Sequence, residues 1–87
     1  MSINRKIEFV FTKITDNFNI SLIYLLEQTN NLKQIIINEC NTKMNLILFE
    51  ENIILYDINN DIIINTVQDL FENKTKQCKI IIKPISY

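Results

Sequence analysis

The sequence predicts an α+β fold: a mixed β-sheet with one main helix packed on one face and a short helical turn before the last strand. Near the start of the chain apolar residues alternate with polar ones, and in the middle they recur at helical spacing. In the second half short apolar runs are separated by polar turns. The chain has 87 residues, of which 47% are hydrophobic and 22% charged, enough for one modest core. We therefore expect a single domain over residues 1–87.

The first two predicted strands form a hairpin. Ile7, Phe9 and Phe11 alternate with their neighbours, as in a strand with one buried face. Residues 15–17, Thr-Asp-Asn, form a turn cluster whose side chains can bond the local backbone. A second alternating run spans residues 18–25, so strand, short turn and strand predict a hairpin.

The main helix is predicted after residues 29–31, Thr-Asn-Asn, whose side-chain oxygens can cap a helix start. The three isoleucines at 35–37 alone would suggest a strand, but the caps and the following spacing favour a helix that fades near residues 41–43. The residues at helical spacing are Leu32, Ile35, Ile36 and Cys40.

Short strands are predicted at residues 46–49, 53–56, 62–64 and 79–83, with a polar turn at 57–61. Because the chain has no glycine, asparagine must serve where a turn needs a positive φ, and Asn59-Asn60 is the pair suited to it.

A short helical turn is predicted over residues 67–71. The hydroxyl of Thr66 can accept a hydrogen bond from the amide of Asp69, which starts such a turn. A hairpin, a crossing helix, several short strands and this turn follow the order of the β-grasp fold. One helix covers only one sheet face, so we expect partners on the open face.

Several short motifs, in this order and spacing, resemble the ubiquitin-like family across nearly the whole chain. Residues 9–12, Phe-Val-Phe-Thr, resemble the family's opening Phe-Val-Lys-Thr, and residues 31–33, Asn-Leu-Lys, resemble its helix start Asn-Val-Lys. Residues 46–49 resemble the strand Arg-Leu-Ile-Phe, and residues 66–70, Thr-Val-Gln-Asp-Leu, resemble the turn Thr-Leu-Ser-Asp-Tyr. The last strand is similar to Leu-His-Leu-Val-Leu. The resemblance implies a β-grasp domain that protein partners recognise.

The chain departs from the family in two places. Its loop between Tyr56 and Asn65 is longer, and the family's glycines are absent. Conjugated members end in glycine, since their terminal carboxylate is adenylated and then attacked by an amine. This sequence ends in residues 85–87, Ile-Ser-Tyr, so we expect no conjugation.

The alternation in the last strand predicts a partner-binding site. It turns Cys78, Ile80 and Ile82 inward, and Lys79, Ile81 and Lys83 outward. In the predicted 46–49 strand, Ile47 and Phe49 would face inward and Leu48 outward. If the two strands are neighbours, Leu48 and Ile81 form an exposed apolar pair bordered by lysines. An apolar centre with a polar rim is typical of interaction surfaces. The alternative interpretation is that single exposed isoleucines are normal. The candidate partner-binding residues are Leu48, Lys79, Ile81 and Lys83.

Residues 56–61, Tyr-Asp-Ile-Asn-Asn-Asp, resemble the acidic motif of the Phox-and-Bem-one (PB-one) domain, which pairs with a partner's basic cluster. Asp57 and Asp61 match that motif, while asparagines replace an acid and the glycine. The resemblance implies an alternative acidic-loop site formed by Asp57, Asp61 and Asp69. A solvated turn would explain the same residues.

Composition argues against several other classes. A net charge of −1 does not favour direct nucleic-acid binding, and no apolar run approaches the about 20 residues that span a bilayer. No signal-peptide pattern is present, so we expect an intracellular, cytoplasmic or nuclear protein. The bias to asparagine and isoleucine is typical of AT-rich genomes.

The residue inventory predicts a protein without enzymatic activity, cofactor or metal. There is no histidine, no CxxC pair and no glycine-rich loop, so zinc, Cys-His, Ser-His-Asp and phosphate-loop chemistry lack their residues. Glu50-Glu51 is expected at the surface. Cys40 and Cys78 are expected as buried thiols, with a disulfide open only to a secreted chain.

Three functional hypotheses follow. The first is a non-catalytic ubiquitin-like interaction module or adaptor that binds a protein partner through the open sheet face. The second is a PB-one-like dimerisation domain that uses its acidic loop. The third is a structural subunit or inhibitor within a larger assembly.

Overall fold

A computed structural model describes residues 5–84 and shows a small α+β domain with a five-stranded mixed sheet, compatible with the predicted β-grasp arrangement. The tail at 85–87, on which the expectation about conjugation rests, lies outside the described residues. In chain order the elements are β1 (Lys6–Phe11), β2 (Asn17–Ser21), α1 (Leu22–Glu27), α2 (Leu32–Met44), a 3₁₀ turn (Glu50–Asn52), β3 (Ile53–Asp57), β4 (Ile62–Ile64), α3 (Val67–Glu72) and β5 (Gln77–Ile82).

The strands lie in the order β2-β1-β5-β3-β4, so the last strand is central. β1 runs parallel to β5, with Phe9 opposite Cys78, and the other three pairings are antiparallel. The chain therefore closes its sheet by inserting β5 between the first hairpin and the second.

One hydrophobic core lies on one face of the sheet. Ile7, Phe9 and Phe11 point into it, as predicted, and the rings of Phe9 and Phe18 stack at 5.5 Å between centroids. In β5, Cys78, Ile80 and Ile82 also point towards the core, as predicted. Four residues of α2 are buried against these strands, as the helical spacing predicted: Leu32, Ile35, Ile36 and Cys40.

The main helix and the short helical turn begin where the sequence predicts. The side chain of Asn31 accepts from the amide of Gln34 at 2.9 Å. Thr66 and Asp69 form a reciprocal capping box at the start of α3. Both caps satisfy amides that a helix start leaves without an internal partner.

The predicted second strand is too long, because residues 22–27 form the helix α1 instead. The hydroxyl of Ser21 accepts from the amide of Tyr24 at 3.1 Å and caps this helix. Leu22 and Leu25 then lie on one helical face and are both buried. An unbroken apolar run fits either period, and here the cap and the i, i+3 spacing decide.

The predicted strand at residues 46–49 does not form, and the predicted orientation of its side chains is wrong. Leu48 is buried, whereas Ile47 is 69% and Phe49 54% exposed. The end of α2 explains this reversal. Asn45 adopts a left-handed conformation with φ 54°, and the amide of Leu46 bonds the carbonyl of Cys40 at 3.2 Å. The segment is thereby bound to the helix end.

Left-handed backbone occurs at Asn45, Asp61 and Lys74, where the chain has no glycine to use. The turn after β3 forms as predicted, but its positive φ falls on Asp61 and not on Asn59-Asn60. Both cysteines are free and buried. Burial raises the pKa of Cys40 to about 11 and that of Cys78 to about 12, so both thiols stay protonated at neutral pH.

Candidate interaction surface

The face of the sheet opposite the core carries an apolar surface built from four strands. We call this surface the open face. The core cluster includes none of its residues. They are half-buried except Ile63, which is 57% exposed. The residues of the open face are Val10, Ile54, Tyr56, Ile63, Lys79 and Ile81.

Strand register places these side chains in two adjacent rows. In the first row Lys79 lies opposite both Val10 and Tyr56, and Tyr56 lies opposite Ile63. In the second row Ile54 lies opposite Ile81. Directly opposed residues have Cβ atoms about 5 Å apart, so neighbouring side chains can contact each other. The rows form one continuous surface.

The same sheet face is polar near its β2 edge. The two carboxylate oxygens of Glu8 accept hydrogen bonds from Asn17 Nδ2 at 2.9 Å and from Gln77 Nε2 at 2.8 Å. Asn19 lies opposite Glu8 and is exposed. The open face therefore has an apolar area bordered by a hydrogen-bonded polar area.

The structure brings only part of the predicted site together. Lys79 and Ile81 point away from the core, as predicted. Lys83 follows the end of β5 and is exposed, and its amide bonds the carbonyl of Asn52 at 2.9 Å. Leu48 is only 5% exposed and belongs to the core, so the predicted exposed pair of Leu48 and Ile81 does not form.

Sequence reasoning missed Val10, Ile54, Tyr56 and Ile63. The alternation that assigned the inward residues of β1 already placed Val10 outward. In β3 the buried residues Ile53, Leu55 and Asp57 also alternate with outward ones. All residues from 53 to 56 are apolar or aromatic, however, so the sequence does not show which set faces the core.

Asp57, the first residue of the predicted acidic loop, is only 1% exposed. Its carboxylate accepts from Thr75 Oγ1 at 2.6 Å and from Asn60 Nδ2 at 2.7 Å, and it also bonds the amide of Asn60. Burial favours the neutral acid, but these hydrogen bonds outweigh it and hold the pKa of Asp57 below its ordinary value. These contacts connect the turn after β3 to the loop before β5.

The other two acids of the predicted acidic-loop site, Asp61 in the turn and Asp69 in α3, also have partners within the chain. Asp61 accepts a hydrogen bond from the hydroxyl of Tyr56, and this contact raises the pKa of the phenol. The carboxylate of Asp69 accepts from the amides of Asn65 and Thr66 at 2.9 and 3.0 Å. Whether these residues bind a partner stays a prediction. Their geometry gives each one a structural role.

A groove of about 330 Å³ lies between α2 and the 46–52 segment, lined in part by Ile37, Phe49, Glu50 and Glu51. Glu50 and Glu51 are exposed, as expected.

None of the helices within residues 5–84 has the length and apolar character needed to cross a membrane. The same residues contain no group of three or more side chains arranged to hold a metal ion.

Comparison of the chain with protein-family models, curated proteins and solved structures found no match. Functional assignment therefore rests on the geometry of the sheet and its open face.

Proposed function

We propose that this chain is a non-catalytic protein–protein interaction module, or adaptor, of the β-grasp, ubiquitin-like type, and that the open face is its docking surface. The observation that carries the proposal is that apolar side chains from β1, β5, β3 and β4 lie together on the sheet face opposite the core.

The composition of this face is unusual for a solvated sheet. An antiparallel sheet with one face in water normally places polar residues there. Here five of the six residues of the open face are apolar or aromatic, and Lys79 lies between Val10 and Tyr56 among them. Contiguous apolar surface next to polar residues is characteristic of protein-binding sites. The polar area around Glu8 supplies such a border.

The strand order supports the β-grasp part of the proposal. A first hairpin is followed by the short helix α1 and the long helix α2, and β5 returns parallel to β1 at the centre of the sheet. The caps at Asn31 and Thr66 begin the helices α2 and α3, and these two helices precede the second hairpin and β5, respectively. These features are independent of the apolar face.

The two alternatives are supported less well. A PB-one-like contact would need free carboxylates in the acidic loop, whereas Asp57 is buried and Asp69 caps α3. A subunit of a larger assembly or an inhibitor could use the same open face, and the identity of the partner would separate it from an adaptor.

The proposal is tested with the paired change Ile63→Ser and Ile81→Ser and the matched control Ile47→Ser. Ile47 is the most exposed large apolar residue of the described chain and lies outside the sheet. Tagged chains are purified from the cells that naturally make the protein, and the co-purifying proteins are quantified. Circular dichroism confirms that each variant is folded.

We expect a partner with the unmodified chain and the control, and a recovery lower by about tenfold or more with the paired variant, because two contacts of the apolar centre are lost. Full recovery with a folded paired variant would contradict the proposal. Loss with the control alone would move the docking surface to the 46–49 segment.

A further inference from the structure

We propose that the open face selects a partner segment with apolar side chains and one carboxylate, and that Lys79 is the residue that selects it. This inference rests on the proposed function and adds the chemistry of the partner to it. The observation behind it is an ammonium group on the central strand of an apolar surface that has no carboxylate partner within residues 5–84.

Lys79 lies on β5, with Val10 on one neighbouring strand and Tyr56 on the other. Lys79 is half-buried. A lysine in such a position packs its methylene groups along apolar neighbours and keeps its ammonium in water. In residues 5–84 one ion pair is present, and it joins Lys43 to Glu39 on α2. Lys79 thus has no ion-pair partner within the described chain.

Two carboxylates on or beside the neighbouring strands are already hydrogen-bonded. Glu8 lies two residues before Val10 on the same strand face, but Asn17 and Gln77 occupy both of its oxygens. Asp61, beyond the end of β3, accepts from the hydroxyl of Tyr56. Neither carboxylate forms an ion pair with Lys79 within residues 5–84. The ammonium of Lys79 is therefore left for a carboxylate from outside.

A partner that covers the open face removes water from around Lys79. A wholly apolar partner would bury the ammonium without compensation, which is unfavourable. A basic partner would add repulsion between like charges. A carboxylate placed over Lys79 would form a charge-assisted hydrogen bond in a medium of low dielectric constant, so the lysine discriminates against the other two classes.

The probe is a phage-displayed library of random twelve-residue peptides, selected on immobilised chain. Selections use the unmodified chain, Lys79→Glu and the control Lys76→Glu, since Lys76 is exposed in the loop before β5. We expect enriched peptides that combine apolar residues with Asp or Glu for the unmodified chain and the control. With Lys79→Glu, Lys or Arg should replace the acid.

One enriched peptide is then titrated into the isotope-labelled chain and its contacts are mapped by amide chemical shifts. Lys79→Met keeps the aliphatic part of the side chain and should weaken binding by about tenfold or more, because the carboxylate loses its partner. Lys76→Met should leave the affinity within about twofold. If Lys79→Glu fails to fold, the loss of affinity with Lys79→Met still tests the role of the Lys79 charge.

The outcomes separate this inference from the proposed function. Peptides that lack acids but shift residues of the open face would overturn the role of Lys79 and leave the docking surface standing. Peptides that shift residues elsewhere, or a selection without enrichment, would overturn both. Concentration-dependent association of the chain with itself through this face would identify a second copy as the occupant and also contradict the inference.

Discussion

Asp57 lies at the end of β3, and its carboxylate is buried among hydrogen-bond donors from two segments. Thr75, which is itself buried, donates from the loop before β5, and Asn60 donates from the turn. Asn60 also bonds the carbonyl of Asn73, and the guanidinium of Arg5 donates to the carbonyls of Leu70 and Thr75. The carboxylate of Asp57 thereby connects the end of β3 to the turn and to the loop before β5.

Replacing Asp57 by Asn should destabilise the fold in a pH-dependent manner. The folded pKa of Asp57 is depressed, so its contribution to stability is complete above the unfolded pKa of about 3.9 and is lost as the pH falls through the folded value. At pH 7 we expect Asp57→Asn to lower the free energy of unfolding by about 1–3 kcal/mol, because a buried donor loses its acceptor. Urea denaturation at pH 7 and at acid pH measures this.

The matched control is Asp61→Asn, since Asp61 is exposed and asparagine tolerates its left-handed backbone. Its free energy of unfolding should change by no more than about 0.5 kcal/mol. A gap between Asp57→Asn and the unmodified chain that stays constant down to acid pH would show that the carboxylate charge does not contribute.

At this scale the sequence predicts the existence of the turn better than the role of its residues. An Asp at the start of a turn and an Asn three residues later are typical of side-chain bonds to the local backbone, and Asp57 and Asn60 make that bond. The contact with Thr75 joins residues that are 18 positions apart, and no local pattern predicts it.

Among the elements, the segment from Asn45 to Phe49 is one whose side-chain orientation the sequence pattern alone does not determine. Four apolar residues in a row fit either set of inward side chains. The left-handed cap at Asn45 fixes the choice, because it redirects the chain at the end of α2 and places Leu46 and Leu48 against the core. The same ambiguity applies to the start of α1, where five apolar or aromatic residues follow Ser21.

Alanine substitutions at neighbouring positions test this orientation. Leu48→Ala should lower the free energy of unfolding by about 2–5 kcal/mol, since it removes buried methyl groups and leaves a cavity. Ile47→Ala should change it by no more than about 0.5 kcal/mol, because Ile47 is exposed. Urea denaturation of both variants gives the comparison. Equal losses, or a larger loss at position 47, would restore the strand orientation that the sequence predicts.

For the whole molecule, the order of the elements can be predicted from the sequence better than the contacts between them. The hairpin, the main helix, the capped turn and the final strand could all be predicted from alternation, helical spacing and caps. The register that places Tyr56 beside Lys79 and Ile63 could not, because it depends on pairings between strands far apart in sequence. The candidate site therefore shifts from Leu48 to residues of β3 and β4, while Lys79 and Ile81 remain in it.

The central claim is that a partner docks on the open face, and site-specific photocrosslinking tests it most directly. A benzoylphenylalanine probe is placed at position 63 on the open face, at position 47 outside the sheet, or at position 59 in the exposed turn after β3. The chain is irradiated in the cells that make it, and covalent adducts are identified by mass spectrometry.

We predict a specific adduct from the probe at position 63 and none from the probes at 47 and 59. An adduct from position 59 alone would favour the acidic-loop alternative, and one from position 47 alone would favour the groove beside α2. Either result, or no adduct from position 63, would contradict docking on the open face.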